Sequence, residues 1–173
     1  TIKWLIRAAG SAPSGANSQP WRFVCISDRA LKSRLRAEAE KREQKFYRDQ
    51  AGSRFLKDLE PLGTGPQKAF LEDAPWLIVV FKLLGKEDGG AVYYPEKSVG
   101  IAVGFLLAAA HVAGLSTLVY TPPDMGFLNA LLDRPATEKP FCIVVVGYAH
   151  KAWKPPQAAL QRKPLEEIMI VKE

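Results

Sequence analysis

The chain has 173 residues, of which 47% are hydrophobic and 24% charged, which suits one globular domain (residues 1–173) with a proper core and excludes a disordered or collagen-like chain. Its formal charge of +6 is compatible with attraction of small anions. It does not argue for nucleic acid: the cations between Arg29 and Lys57 are interleaved with Glu38, Glu40, Glu43 and Asp49, the pattern of a solvated helix face, and no nucleic-acid motif accompanies them.

In chain order, residues 2–9 predict a helix with Ile2, Leu5, Ile6 and Ala9 on one face, ended by Gly10. An irregular loop, 11–20, precedes a strand at 21–27. Asp28 then caps a long helix over about 29–49, whose apolar stripe is Leu31, Leu35, Ala39 and Phe46. A partly polar helical stretch runs to about 73, broken by "PLGTGP" at 61–66. The continuous apolar run "WLIVVFKLL" (76–84) predicts a strand buried on both faces, followed by a turn at 85–92. "VGIAVGFLLAAAHVAGL" (99–115) is short for a membrane span and carries His111, so it is expected as a buried central helix over about 95–113. A strand at 116–121, a short helix at 125–132 and a strand at 139–148 complete an α/β alternation. It predicts a central mixed sheet flanked by helices on both faces. The tail, "PLEEIMIV", reads as a strand with no place in its own sheet, and so as an arm reaching a partner subunit.

Cys25 and Cys142 each lie inside an apolar strand, as buried thiols rather than a disulfide or a metal site. With two histidines and no ligand spacing, no metal is expected. The thiols, with no signal peptide visible, suit a reducing cytoplasm. There is no G-x-G-x-x-G after a strand, no P-loop and no G-x-S-x-G. The loop "SAPSGANSQPWRF" (11–23) is the chemically dense segment. Ser14, Asn17, Ser18 and Gln19 offer hydroxyls and amides, and Gly15 allows close backbone approach. Such a set suits a planar, heteroatom-rich ligand such as a flavin; by composition alone it reads first as a turn that only caps the helix.

"AAGSAPSGANSQPWRFV" (8–24) is similar to the opening signature of the nitroreductase superfamily of FMN-dependent oxidoreductases. "APWLIVVFK" (74–82), "YYPEKSVGIAVGFLLAAAHVAGLSTLVYTPP" (93–123), "RPATEKPFCIVVVGY" (134–148) and "RKPLEEIMIV" (162–171) follow in order and most resemble its iodotyrosine deiodinase branch. The resemblance implies the nitroreductase-like fold as an intertwined homodimer with an exchanged C-terminal arm. It implies two FMN molecules at the subunit interface, which gives Gly100 and Gly104 a role in close helix approach.

Carried over, Pro13, Ser14, Gly15 and Asn17 contact FMN. The backbone around Val119 and Tyr120 lines the isoalloxazine, Thr121 brings a catalytic hydroxyl near flavin N5, and Arg162 meets the phosphate. Glu43, Tyr47 and Lys68, in a lid over about 43–70, clamp the amino and carboxylate groups of a halotyrosine, and the Ala16 backbone N–H donates to its phenolate. The family's Arg-rich segment upstream of the first helix falls outside a chain that starts at Thr1, and most phosphate contacts are expected from that segment. The activity implied is reductive dehalogenation. The alternatives are a general FMN-dependent NAD(P)H nitroreductase or quinone reductase, and a non-catalytic flavin-binding dimer.

Overall fold

A computed structural model describes residues 1–86 and 89–173; Glu87 and Asp88, in the loop expected over 85–92, lie outside the described residues. The first helix, α1 (Ile2–Gly10), buries Leu5 and Ala9 completely. After the loop comes β1 (Trp21–Ile26). Asp28 then accepts a 2.7 Å hydrogen bond from the Leu31 amide, satisfying one of the free donors at the start of α2 (Arg29–Asp49). Leu35 and Ala39 of the predicted stripe are fully buried. Beyond α2 the chain forms α3 (Ser53–Leu59), a 3₁₀ turn (Glu60–Leu62) and α4 (Phe70–Asp73). Neither α3 nor the 3₁₀ turn contributes a buried side chain.

The sheet has the order β1-β2-β4-β3, with β2 (Trp76–Leu83), β3 (Ser116–Tyr120) and β4 (Glu138–Gly147). All three pairings are antiparallel, where the alternation of elements predicted a mixed sheet. The reason is insertion: β4, last in sequence, lies between β2 and β3, so the two strands joined by the crossover helix never pair. Leu77 to Phe81 are buried without interruption, because β2 is an inner strand with helices over both faces. One layer holds α1 and α5 (Pro95–Val112); the other holds α2, α4 and α6 (Phe127–Leu131).

The central helix departs from expectation. Within this chain α5 is buried on one face only, through Val99, Ala102, Val103, Leu106 and Ala110. Its other face, with Gly100, Ile101, Gly104, Phe105, Ala108 and Val112, is exposed. A Cβ added at Gly100 or Gly104 would meet nothing within 4 Å, so no element of the same chain uses those glycines for close packing. The tail departs too. Instead of a strand it forms two single helical turns, α7 (Gln157–Leu160) and α8 (Leu165–Ile168), then an unpaired end. Four-residue helices are too short to stand alone; α7 rests on the 3₁₀ turn. Leu165, Ile168, Met169, Ile170 and Val171 are all exposed.

Candidate active site

The loop at 11–20 is shaped by turn chemistry. Ala16, Asn17 and Gln19 have φ of +48°, +50° and +45°, left-handed values that cost an L-residue about 1 kcal/mol or more each. Local bonds hold them. The Asn17 amide donates to the Ser14 carbonyl at 3.0 Å, the Ser18 amide to that of Gly15 at 3.1 Å, and the Gln19 amide to Ser14 Oγ at 2.9 Å. Gly15 is bridged to Tyr93 and its amide points at Ser98 Oγ at 3.5 Å. A Cβ there would lie 2.9 Å from the Tyr93 carbonyl oxygen, so the position requires glycine. Pro13, Ser14 and Gly15 form one side of a cleft of about 380 Å³; Tyr94, Lys97, Ser98 and Ile101, at the start of α5, form the other. The sequence reading missed this second wall. The signal lay in "YYPEK", two aromatics and a cation around a proline that opens a helix.

The second constellation grows from α2. Glu43 and Lys68 are charged, yet each is only 5% exposed. Lys68 Nζ lies 3.7 Å from Glu43 Oε1. The ammonium donates to the Gly65 carbonyl at 2.7 Å and stands 5.4 Å from the centre of the Tyr120 ring. The Lys68 backbone N–H donates to Glu40 Oε1 at 2.7 Å; this bond is the main reason the Glu40 carboxyl is held below the usual range. Tyr120, at the end of β3, donates its hydroxyl to Glu43 Oε1 at 2.8 Å. Burial first, then Glu43, pushes the Tyr120 phenol well above the ordinary tyrosine range. The phenol of Tyr47, one helical turn beyond Glu43, is raised first by burial and then by the charge of Glu43.

Glu43 and Lys68, from segments 25 positions apart, are thus brought together, with Tyr47 beside them. Tyr120 joins them through its hydroxyl, and the other predicted residues lie elsewhere. Val119, at 45% exposed, faces outward on the sheet's edge, and Thr121 is exposed just after it. The Tyr120 side chain turns inward, leaving only its backbone for a ligand on the outer side. Arg162, exposed in the tail, donates to the carbonyls of Ala159 and Gln161, both at 2.7 Å. The loop with Ala16 belongs to the α1–α5 side, whereas Glu43, Lys68 and Tyr120 belong to the α2–α4 side. Among the described residues no group of His, Cys, Asp and Glu is arranged to hold a metal ion, and no helix is long and apolar enough to cross a membrane.

A family model described as the Nitroreductase family matches residues 1–148. An iodotyrosine deiodinase of Haliscomenobacter hydrossis is 45% identical over 174 residues, which covers 98% of this chain and 78% of the relative. Iodotyrosine deiodinase 1 of Homo sapiens is 43% identical over 173 residues, covering 96% of this chain and 58% of the relative. The chain spans between 57% and 78% of the length of the curated relatives it matches. A crystal structure of oxidized iodotyrosine deiodinase bound to FMN and 3-iodo-L-tyrosine superposes with a TM-score of 0.83 at 32% identity, covering 99% of this chain and 85% of that one. A BluB-like flavoprotein of Clostridium difficile, at 23% identity and a TM-score of 0.71, shares the fold. The family match over residues 1–148 and the 45% identity across nearly the whole chain establish that this chain belongs to the nitroreductase family, in its iodotyrosine deiodinase branch.

Proposed function

We propose that the chain is an FMN-dependent reductive dehalogenase of iodotyrosine or a related halotyrosine, working as a homodimer. One observation carries this reading: Glu43 and Lys68 form a buried, loosely engaged pair of opposite charges. Burying two ions costs several kcal/mol each before their attraction is counted, so such a pair is weak evidence for stability alone. An amino acid's ammonium and carboxylate match it charge for charge, and each charge-assisted hydrogen bond contributes about 1.5–3 kcal/mol. Tyr47 lies beside the pair to contact the same head group. Ala16 offers only its backbone N–H, a fixed donor suited to the phenolate oxygen. The relatives named above as iodotyrosine deiodinases, one with FMN and 3-iodo-L-tyrosine bound, support the same substrate class.

The residues present fit FMN. Gly15, where a Cβ would run into Tyr93, lets the loop close against the start of α5, and the Pro13 carbonyl, the Ser14 hydroxyl and the Asn17 amide offer hydrogen-bonding groups in the same loop. Val119, the Tyr120 backbone and Thr121 offer an exposed edge for the flat ring, with the Thr121 hydroxyl as a donor to it. The Arg162 guanidinium is exposed and suits a phosphate dianion. When bound and reduced, FMN supplies two electrons that, with one proton, replace the carbon–halogen bond by carbon–hydrogen and release halide. The protein's part is to stack the phenol, hold it ionised and exclude water with the lid over residues 43–70.

Two copies of the chain account for what one leaves unused. The loop and the acid–amine pair lie on opposite sides of the sheet, so a shared site between subunits brings such groups together. The exposed stripe of α5, with glycines at 100 and 104, is a self-complementary surface for a two-fold contact. The exposed apolar tail is long enough to lie over a partner. The free thiols Cys25 and Cys142, the latter pushed up to about 12 by burial, favour a reducing compartment such as the cytoplasm. The test is a titration of the FMN-loaded protein with 3-iodotyrosine. Saturable perturbation of the visible flavin bands is expected; an unchanged spectrum, with nitroaromatics reduced rapidly by NADH or NADPH, would replace this reading with a general nitroreductase.

A further inference from the structure

We infer that Tyr120 is a positioning residue for substrate: its hydroxyl fixes one oxygen of Glu43 so that the other faces the ammonium group of the bound amino acid. This assignment rests on the halotyrosine reading above. Glu43 has two carboxylate oxygens with separate fates. Oε1 accepts the Tyr120 hydroxyl at 2.8 Å and is the atom nearest Lys68. Among the described residues nothing donates to Oε2. A buried ionised carboxylate needs more than one donor, so the unengaged oxygen is where an incoming cation gains most.

Lys68 is prepared in the same way. One of its three protons is given to Gly65 at 2.7 Å, and its distance of 3.7 Å from Glu43 exceeds that of a hydrogen bond. Each charge is therefore anchored by a group other than its partner, which keeps the pair from collapsing into a tight ion pair. Tyr120 is itself immobilised. It is 7% exposed, with its ring edge-on to Phe70 at 5.6 Å between centroids. Fixing the acid in advance removes part of the entropy cost of ordering it when substrate arrives. The sequence gives Tyr120 a place only in a strand end beside the flavin; the inward direction of its side chain assigns it this second role.

The test compares two probes on the FMN-loaded protein by quenching of flavin fluorescence: 3-iodotyrosine, which has the zwitterionic head, and 2-iodophenol, which lacks it. Tyr120→Phe keeps the ring against Phe70 and removes only the hydroxyl. It is expected to weaken 3-iodotyrosine relative to 2-iodophenol by about tenfold, the scale of a hydrogen bond to a charged group. Glu43→Gln should lower the same ratio, and adding Tyr120→Phe to it should cost little more, because the hydroxyl acts through the carboxylate. A purely structural role would weaken both probes alike and add to Glu43→Gln, which overturns the assignment. Tighter binding of 3-iodotyrosine by Tyr120→Phe also overturns it, since the bond would then be competing with substrate. A wild-type protein that binds no 3-iodotyrosine overturns the functional reading, and this assignment with it; normal wild-type binding with an unaffected variant overturns the assignment alone.

Discussion

At the scale of single residues, the chemistry rests on charges placed where charges are costly. Lys68 is almost wholly enclosed, yet the carboxylate paired with its ammonium stands 3.7 Å away and the ammonium donates instead to a carbonyl. Lys68→Gln keeps a donor, on a side chain one atom shorter, but removes the charge that meets a carboxylate. It should raise KM for iodotyrosine tenfold or more while flavin content falls far less, as steady-state kinetics and the absorbance ratio of flavin to protein will show. An unchanged KM would remove the clamp. Part of this was legible in the sequence. Glu43 and Tyr47 are four apart on a helix whose start is fixed by Asp28, so they share a face. Tyr120 was not legible, because a residue at the end of an edge strand can turn to either side. Only the packing of α2 and α4 against that side shows that the hydroxyl meets Glu43.

At the scale of elements, the sheet is pinned at the start of β4. Glu138, 4% exposed at the start of β4, takes two 2.7 Å bonds from Arg134 and one of 3.2 Å from Arg22 on β1. The Asn129 amide donates to the carbonyls of Pro135 and Glu138, tying α6 to the same strand. The Arg134 hydrogen bond is the largest of the causes that hold the Glu138 carboxyl below the usual carboxylate range, against the opposing effect of burial. Because its folded pKa lies below the unfolded one, this clamp contributes stability at neutral pH and loses it as the pH falls below about 4.5. Glu138→Gln should therefore lower the denaturation midpoint at pH 7, with the deficit shrinking in acid; a deficit independent of pH would contradict the clamp. The helices and inner strands were readable because a cap, a stripe and an unbroken apolar run each have a local cause. Strand direction and the tail were not. The insertion of β4 between β2 and β3 is a long-range event, and an apolar tail takes its form from whatever covers it.

At the scale of the whole molecule, the same chain carries the 11–20 loop and its cleft on one side of its sheet and the Glu43–Lys68 pair on the other, which our account assigns to the flavin ring and the amino-acid head group. The apolar stripe on α5 joins these halves in our account, by pairing two copies. Phe105 is 43% exposed, so Phe105→Glu leaves the chain's own core intact. It should convert the dimer to a monomer in sedimentation and release FMN on dialysis; a dimer that keeps its flavin would show that the stripe has another use. The central claim, a halotyrosine held over FMN by Glu43, Tyr47 and Lys68, is tested most directly by iodide release. The FMN-loaded protein, reduced with dithionite without oxygen, is given 3-iodotyrosine, and iodide and tyrosine are measured together. The account predicts one of each per substrate consumed, with little release from Lys68→Gln at the same substrate concentration; a flavin-replete wild-type protein that releases no iodide would contradict it.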